Sequence, residues 1–171
     1  MSVSAWRRAS VGLIFVGGAT FAEAQPPKAG HRAPEIDLPT LNGGRFQLSK
    51  LRGHAVILSF WGTWCPPCRN EFPLLEAIHD QHFDAGLYVI GVNGRDQEES
   101  TRDVSRFVDA FAISFPIVLD NRGSVRRAYR IEGQPTTVFI DQKGVVRRVH
   151  VGLITRKELD EGVALILLPP S

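Results

Sequence analysis

A chain of 171 residues is long enough to bury one sizeable core and too short for two ordinary domains. Its 43% hydrophobic and 22% charged content matches a folded globular protein, which argues against a disordered or a polytopic membrane chain. The formal charge of +2 falls to +1 once residues 1–24 are set aside with Arg7, Arg8 and Glu23, so the charge balance points to no nucleic-acid partner. Local basic pairs such as Arg147 and Arg148 then read as solvated strand edges rather than phosphate sites.

The first 24 residues read as an export leader. Arg7 and Arg8 precede an apolar stretch from Ala9 to Ala22, and Ala22-Glu23-Ala24 supplies the small-x-small pattern of a signal peptidase site. Cleavage is expected before Gln25, which assigns residues 25–171 to the domain. The apolar stretch is shorter than the roughly 20 residues that cross a bilayer and carries Gly12, Gly17 and Gly18, so a cleaved signal is favoured over a retained anchor. The expected location is the periplasm or the outer face of the cytoplasmic membrane.

Gln25 to His31 is a Pro-rich lead, and Glu35–Leu41, Asn42-Gly43-Gly44 and Arg45–Leu48 predict a hairpin with a tight turn. Ala55–Phe60 is an unbroken apolar run of strand length, as expected for a strand covered on both faces. A turn holding the chain's two cysteines, Cys65 and Cys68, follows, then a helix from about Cys68 to His82 with Leu74, Leu75 and Ile78 inward and Pro73 expected to kink it. Leu87–Val92 predicts a strand, Thr101–Ala112 a helix with Val104, Phe107, Val108 and Phe111 inward, and Phe115–Leu119 a further strand. Gly123–Tyr129 predicts a short helix, Thr136–Ile140 and Val145–Val151 two strands joined at Asp141–Gly144, and Arg156–Leu168 a last helix. The alternation implies parallel crossovers in a mixed sheet with helices on both faces.

The cysteine pair reads as reactive rather than structural. A thiol at a helix N-terminus meets unpaired backbone N–H groups and the positive end of the helix dipole, which favour the thiolate. A disulfide across two intervening residues closes a loop too small to remove much unfolded-state entropy.

This order of elements, the WCPPC turn, the stretches SFWGTWCPPCRNEFP, VIGVN, FPIVLD and GQPTTVFID, and Pro135 opening a late strand together resemble the thioredoxin superfamily, and within it the exported ResA/TlpA type of thiol-disulfide oxidoreductase. The resemblance covers about residues 33–168 and implies an α/β, thioredoxin-like fold: a mixed central sheet flanked by helices, with an N-terminal β-hairpin. It implies Cys65 as the nucleophile and Cys68 as the resolving thiol, with Cys65 at the end of the turn where access is greatest and Cys68 partly covered. It also implies a cis peptide between Gln134 and Pro135, placed against the turn to present a backbone edge to substrate. Trp64 is expected to flank the nucleophile as an apolar substrate contact, and Trp61 to pack in the core. The buried aspartate of cytosolic relatives is replaced by Ser59, so another acid is needed for proton transfer. Asp96 matches the position of the acid in exported relatives, with Glu98 or Glu99 as alternatives and a solvated loop acid as the competing account.

Pro66 and Pro67 add neither an N–H nor a charge to support a Cys65 thiolate, so a reductant is expected. A reductant outside the cytoplasm needs electrons from across the membrane, and the resemblance implies a transmembrane thiol reductase as donor. Implied acceptors are oxidised apocytochrome c or copper-site proteins. No cofactor and no oligomer are expected.

Two other classes of protein share parts of this pattern. A copper-binding chaperone would use Cys65 and Cys68 but lacks a third ligand, because His79 lies roughly 16 Å along the helix from Cys68. A peroxiredoxin-type peroxidase would need a threonine three positions before its cysteine, whereas Thr63 is two before Cys65.

Overall fold

The computed structural model describes residues 28–167, and the leader assigned to residues 1–24 lies outside them. β1 (Asp37–Pro39) and β2 (Arg45–Gln47) form an antiparallel hairpin whose turn places Gly43 at positive φ. β3 (Ala55–Trp61), β4 (Leu87–Asn93), β5 (Ile117–Leu119), β6 (Thr136–Ile140) and β7 (Val146–Val151) make a second sheet in the order β5-β4-β3-β6-β7. α1 (Pro66–His82) links β3 to its parallel neighbour β4, and α2 (Thr101–Ala110) links β4 to its parallel neighbour β5. α3 (Ser124–Ala128) precedes β6, which pairs antiparallel with β3 and β7, and α4 (Arg156–Leu167) follows β7. The mixed sheet and the N-terminal hairpin are those expected from the sequence.

Every residue of β3 is buried, as its continuous apolar run requires of a strand with both faces covered. Strand periodicity then divides the core in two. Ala55, Ile57 and Trp61 face Phe72 and Leu75 of α1, Val104 and Phe107 of α2, and Leu159 and Val163 of α4. Val56, Leu58 and Phe60 face Leu38 of the hairpin and Val125 of α3. Trp61 is fully buried, as expected, with its ring 5.0 Å from those of both Phe72 and Phe107.

Element boundaries shift by one to a few residues, and two of the shifts have a clear local cause. β5 begins after Pro116, which has no amide to give to a ladder, although Phe115 stays buried. α2 ends at Ala110, and Ala112 takes a φ of +48°, so Phe111 is left partly exposed and stacks on Phe107 at 4.5 Å. Pro73 lies inside α1 on its exposed side, and the helix continues past it as one element. No helix among the described residues is long and apolar enough to cross a membrane.

α4 approaches the sheet through Gly162, where an added Cβ would land on the ring of Phe139. Gly162→Ala is therefore expected to lower stability in urea unfolding by roughly 1–2 kcal/mol, because overpacking outweighs alanine's helix propensity. A variant as stable as wild type would show that the Phe139 ring can yield.

Candidate active site

Cys65 is the N-cap of α1, with Pro66 and Pro67 in its first two positions and Cys68 in the third. Proline suits this start, because the first helical amides have no intrahelical acceptor and its φ is preset for the helix. The Cys65 Sγ accepts from the Cys68 N–H at 3.3 Å, an N-cap bond made by sulfur. The two cysteines form a disulfide. The expected contrast in access is absent from this oxidised form: Cys65 is 2% and Cys68 1% exposed. The capping side chain folds inward over the first turn of α1, where both cysteines join the core cluster of Trp61 and Phe72. The exposed group at the turn is Trp64, half of whose surface meets solvent. Gly62 lets the indole lie close, since a Cβ there would sit 2.7 Å from Trp64 Nε1.

The strand register brings three loops to this end of the sheet. Phe60 pairs with Thr136 and Trp61 with Asn93, so the segment before β6 and the loop after β4 flank the cysteine turn. The Gln134–Pro135 peptide is cis. The Gln134 side chain lies between the cysteine turn and the loop after β4, with its Oε1 3.1 Å from where a Cβ on Gly62 would sit and its Nε2 3.2 Å from where one on Gly94 would.

The loop acids point in different directions. Asp96, the first choice from the sequence, directs Oδ2 to Arg126 Nη2 of α3 at 3.1 Å. Glu98 turns to the cysteine segment instead, where its Oε1 accepts from the Thr63 N–H at 2.7 Å and its Oε2 from the Thr63 hydroxyl at 2.5 Å. Asp96 lies within a short helical turn over Arg95–Gln97 and Glu98 is the extended residue that ends it, which sends their side chains to different partners. Glu99 is exposed, and with Thr63, Trp64, Gln97, Glu98 and Asp103 it lines a cleft of about 330 Å³ beside the turn.

A further acid escaped the sequence reading. Glu71 is 1% exposed and lies three residues after Cys68, one turn along the same side of α1. Its Oε1 accepts from the Thr137 hydroxyl at 3.2 Å, and its Oε2 has no hydrogen-bond partner among the described residues. Burial raises its pKa to about 7, against the smaller opposing pull of the Thr137 hydroxyl. Thr137 is the cross-strand partner of Ser59, so Glu71 reaches from α1 to the side of the sheet on which Ser59 lies. The signal was present in the helical period: Glu71 lies between Cys68 and Leu75 on the inner face.

A buried CxxC pair at a helix N-terminus, beside a cis-proline loop on a mixed α/β sheet, defines a thioredoxin-like thiol-disulfide oxidoreductase. Residues 29–149 match the AhpC/TSA family, and the chain belongs to it. It is 38% identical over 146 residues to the thiol-disulfide oxidoreductase ResA of Halalkalibacterium halodurans, covering 85% of this chain and 81% of that protein. It is also 38% identical to the thioredoxin-like protein YneN of Bacillus subtilis, over 80% of this chain and 79% of the relative. The crystal structure of a putative thiol:disulfide interchange protein DsbE from Chlorobium tepidum superposes with a TM-score of 0.76 at 31% identity, covering 82% of this chain and 98% of that one.

The raised pKa of Glu71 makes the folded state bind an extra proton between its ordinary value of 4.5 and about 7. Its share of stability is therefore full below the lower value and is lost as pH rises through the higher one. Relative to Glu71→Gln, wild type is expected to lose about 3 kcal/mol across that interval in denaturant titrations. A constant difference across pH would place the Glu71 pKa near its ordinary value.

Proposed function

We propose that the protein is an exported reductant of protein disulfides. The observation that carries this is the Cys65 cap: with Pro66 and Pro67 at the first two helical positions, Cys68 supplies the one N–H in this turn that reaches Cys65 Sγ. A thiolate with few donors is less stabilised, which makes the dithiol give up electrons more readily. The leader in the sequence and the likeness to ResA support an extracytoplasmic location. A transmembrane thiol reductase supplies the electrons, and the substrates are oxidised apocytochrome c or copper-site proteins.

In the reduced protein the Cys65 thiolate attacks one sulfur of a substrate disulfide, forming a mixed disulfide and expelling the other substrate sulfur as thiolate. Cys68 gives its proton to Glu71, whose pKa near 7 suits it to accept one, and attacks the Cys65 sulfur. The second substrate thiolate leaves, the substrate is reduced by two electrons, and the Cys65–Cys68 disulfide re-forms. Trp64, Gln134 and Pro135 border the turn and contact the substrate segment. Asp96 is held by Arg126, so Glu71 takes the proton-transfer role first assigned to it.

Cys68→Ser is expected to trap substrates as mixed disulfides on Cys65 in cells, and identification of the adducts names the pathway. Trapping by Cys65→Ser in place of Cys68→Ser would reverse the two roles. In equilibrium with glutathione or dithiothreitol, the pair is expected nearer the roughly −270 mV of a reducing thioredoxin than the roughly −120 mV of a strong periplasmic oxidant. A value near the latter overturns the assignment as reductant.

A further inference from the structure

We infer that Glu98 is a positioning residue that holds the cysteine turn in register for the second exchange step, when Cys68 must attack the Cys65 sulfur. Thr63 occupies the second place of a four-residue turn that closes from the Cys65 N–H to the Gly62 carbonyl at 3.1 Å. Both ends of Thr63 are gripped. Glu98 accepts from its N–H at 2.7 Å and from its hydroxyl at 2.5 Å, while the Arg69 guanidinium donates to its carbonyl at 3.0 Å.

Glu98 is itself braced against the sheet. Its Oε1 also accepts from Asn93 Nδ2 at 2.9 Å, and Asn93 is fully buried at the end of β4, in register with Trp61. Its carbonyl accepts from Arg95 Nη1 at 2.9 Å, and the same loop is pinned to α3 by the Asp96–Arg126 pair at 3.1 Å. A chain of contacts therefore runs from β4 through the Glu98 carboxylate to the residue two places before Cys65.

In the oxidised protein the disulfide staples the turn by itself. In the mixed disulfide that bond is open, and Cys65 carries a substrate sulfur. The Glu98 brace then fixes the backbone on the N-terminal side of Cys65, while α1 fixes Cys68 on the other. This rests on the exchange reading above and adds the group that keeps the two sulfurs aligned.

The test is to add oxidised glutathione to the reduced full-length protein, quench with acid and follow the Cys65–glutathione adduct by mass spectrometry. The Cys65 thiolate expels one glutathione thiolate as the adduct forms, and Cys68 expels the second as it resolves. Glu98→Ala leaves the Thr63 N–H without its acceptor, and adduct resolution is expected to slow about tenfold. Thr63→Val keeps the backbone bond and loses the hydroxyl, so a slowing of roughly threefold is expected. Glu98→Gln retains an oxygen for the Thr63 and Asn93 donors and an NH₂ group for the Thr63 hydroxyl oxygen. Its resolution rate is expected within about threefold of wild type, with an unchanged pH profile.

Wild-type resolution in Glu98→Ala overturns the proposal. So does a Glu98→Gln protein as slow as Glu98→Ala or with a shifted pH profile, since charge or proton transfer would then be the role. If Glu98→Ala does not fold, wild-type resolution in Thr63→Val or a tenfold loss in Glu98→Gln overturns it equally. Cys68→Ser in the same assay separates the readings: if its adduct does not persist, the assignment of Cys68 as resolver fails whatever Glu98 does.

Discussion

The pairing of β3 with its two neighbours is the constraint on which the site depends. β4 runs parallel to β3 and β6 antiparallel, so the C-terminal end of β3, the C-terminal end of β4 and the N-terminal end of β6 meet at one edge. The cysteine turn, the Gly94–Ser100 loop and the Gln134–Pro135 segment issue from those three ends. Because side chains alternate along a strand, a one-residue slip of β6 would send Thr137 to the hairpin side and leave Glu71 without its hydroxyl partner. The register is secured far from the chemistry by apolar burial: Ile57 lies opposite Phe139 on one face and Leu58 opposite Val138 on the other.

That same burial determines the proton chemistry. The α1 side of the sheet is lined by aromatic and aliphatic groups, and Glu71 is an acid set among them with a single hydroxyl donor on Oε1. In water its carboxyl would ionise well below neutrality. Here desolvation holds it close to half-protonated near pH 7, the condition in which it can accept a thiol proton and later release it. Ser59 pairs with Thr137 across the sheet and keeps its Oγ buried without a hydrogen-bond partner among the described residues.

Most of the fold was legible because its elements obey simple periods. β3, β4 and β6 are apolar runs bounded by turns, and the CxxC segment stands where a strand hands over to a helix. What escaped depends on packing between segments. Glu71 was passed over because a charged residue in a helix reads as solvated until the neighbouring sheet is known to cover it. Asp96 and Glu98 differ by two positions in a loop without periodicity, and the short helical turn that holds Asp96 and ends at Glu98 decides which one meets Thr63. The burial of Cys65 had the same origin. Its place as N-cap follows from the chain, but the cover over its sulfur comes from residues packed on the far side of the turn.

The two prolines tie these features together. At an ordinary helix start the capping side chain can accept from the second and third helical amides, but Pro67 removes the first of these and leaves the Cys68 N–H. The helix therefore offers the Cys65 thiolate limited stabilisation, which shifts the balance toward the disulfide. The same prolines preset the backbone at the start of α1, so Cys68 is held by a stiff first turn. The segment before Cys65 has no such stiffness of its own, with Gly62 at its head. Its rigidity comes from outside, through the Glu98 and Arg69 contacts on Thr63. A reactive centre built this way separates electronic tuning, set by missing amides within the motif, from alignment, set by side chains that the motif does not contain.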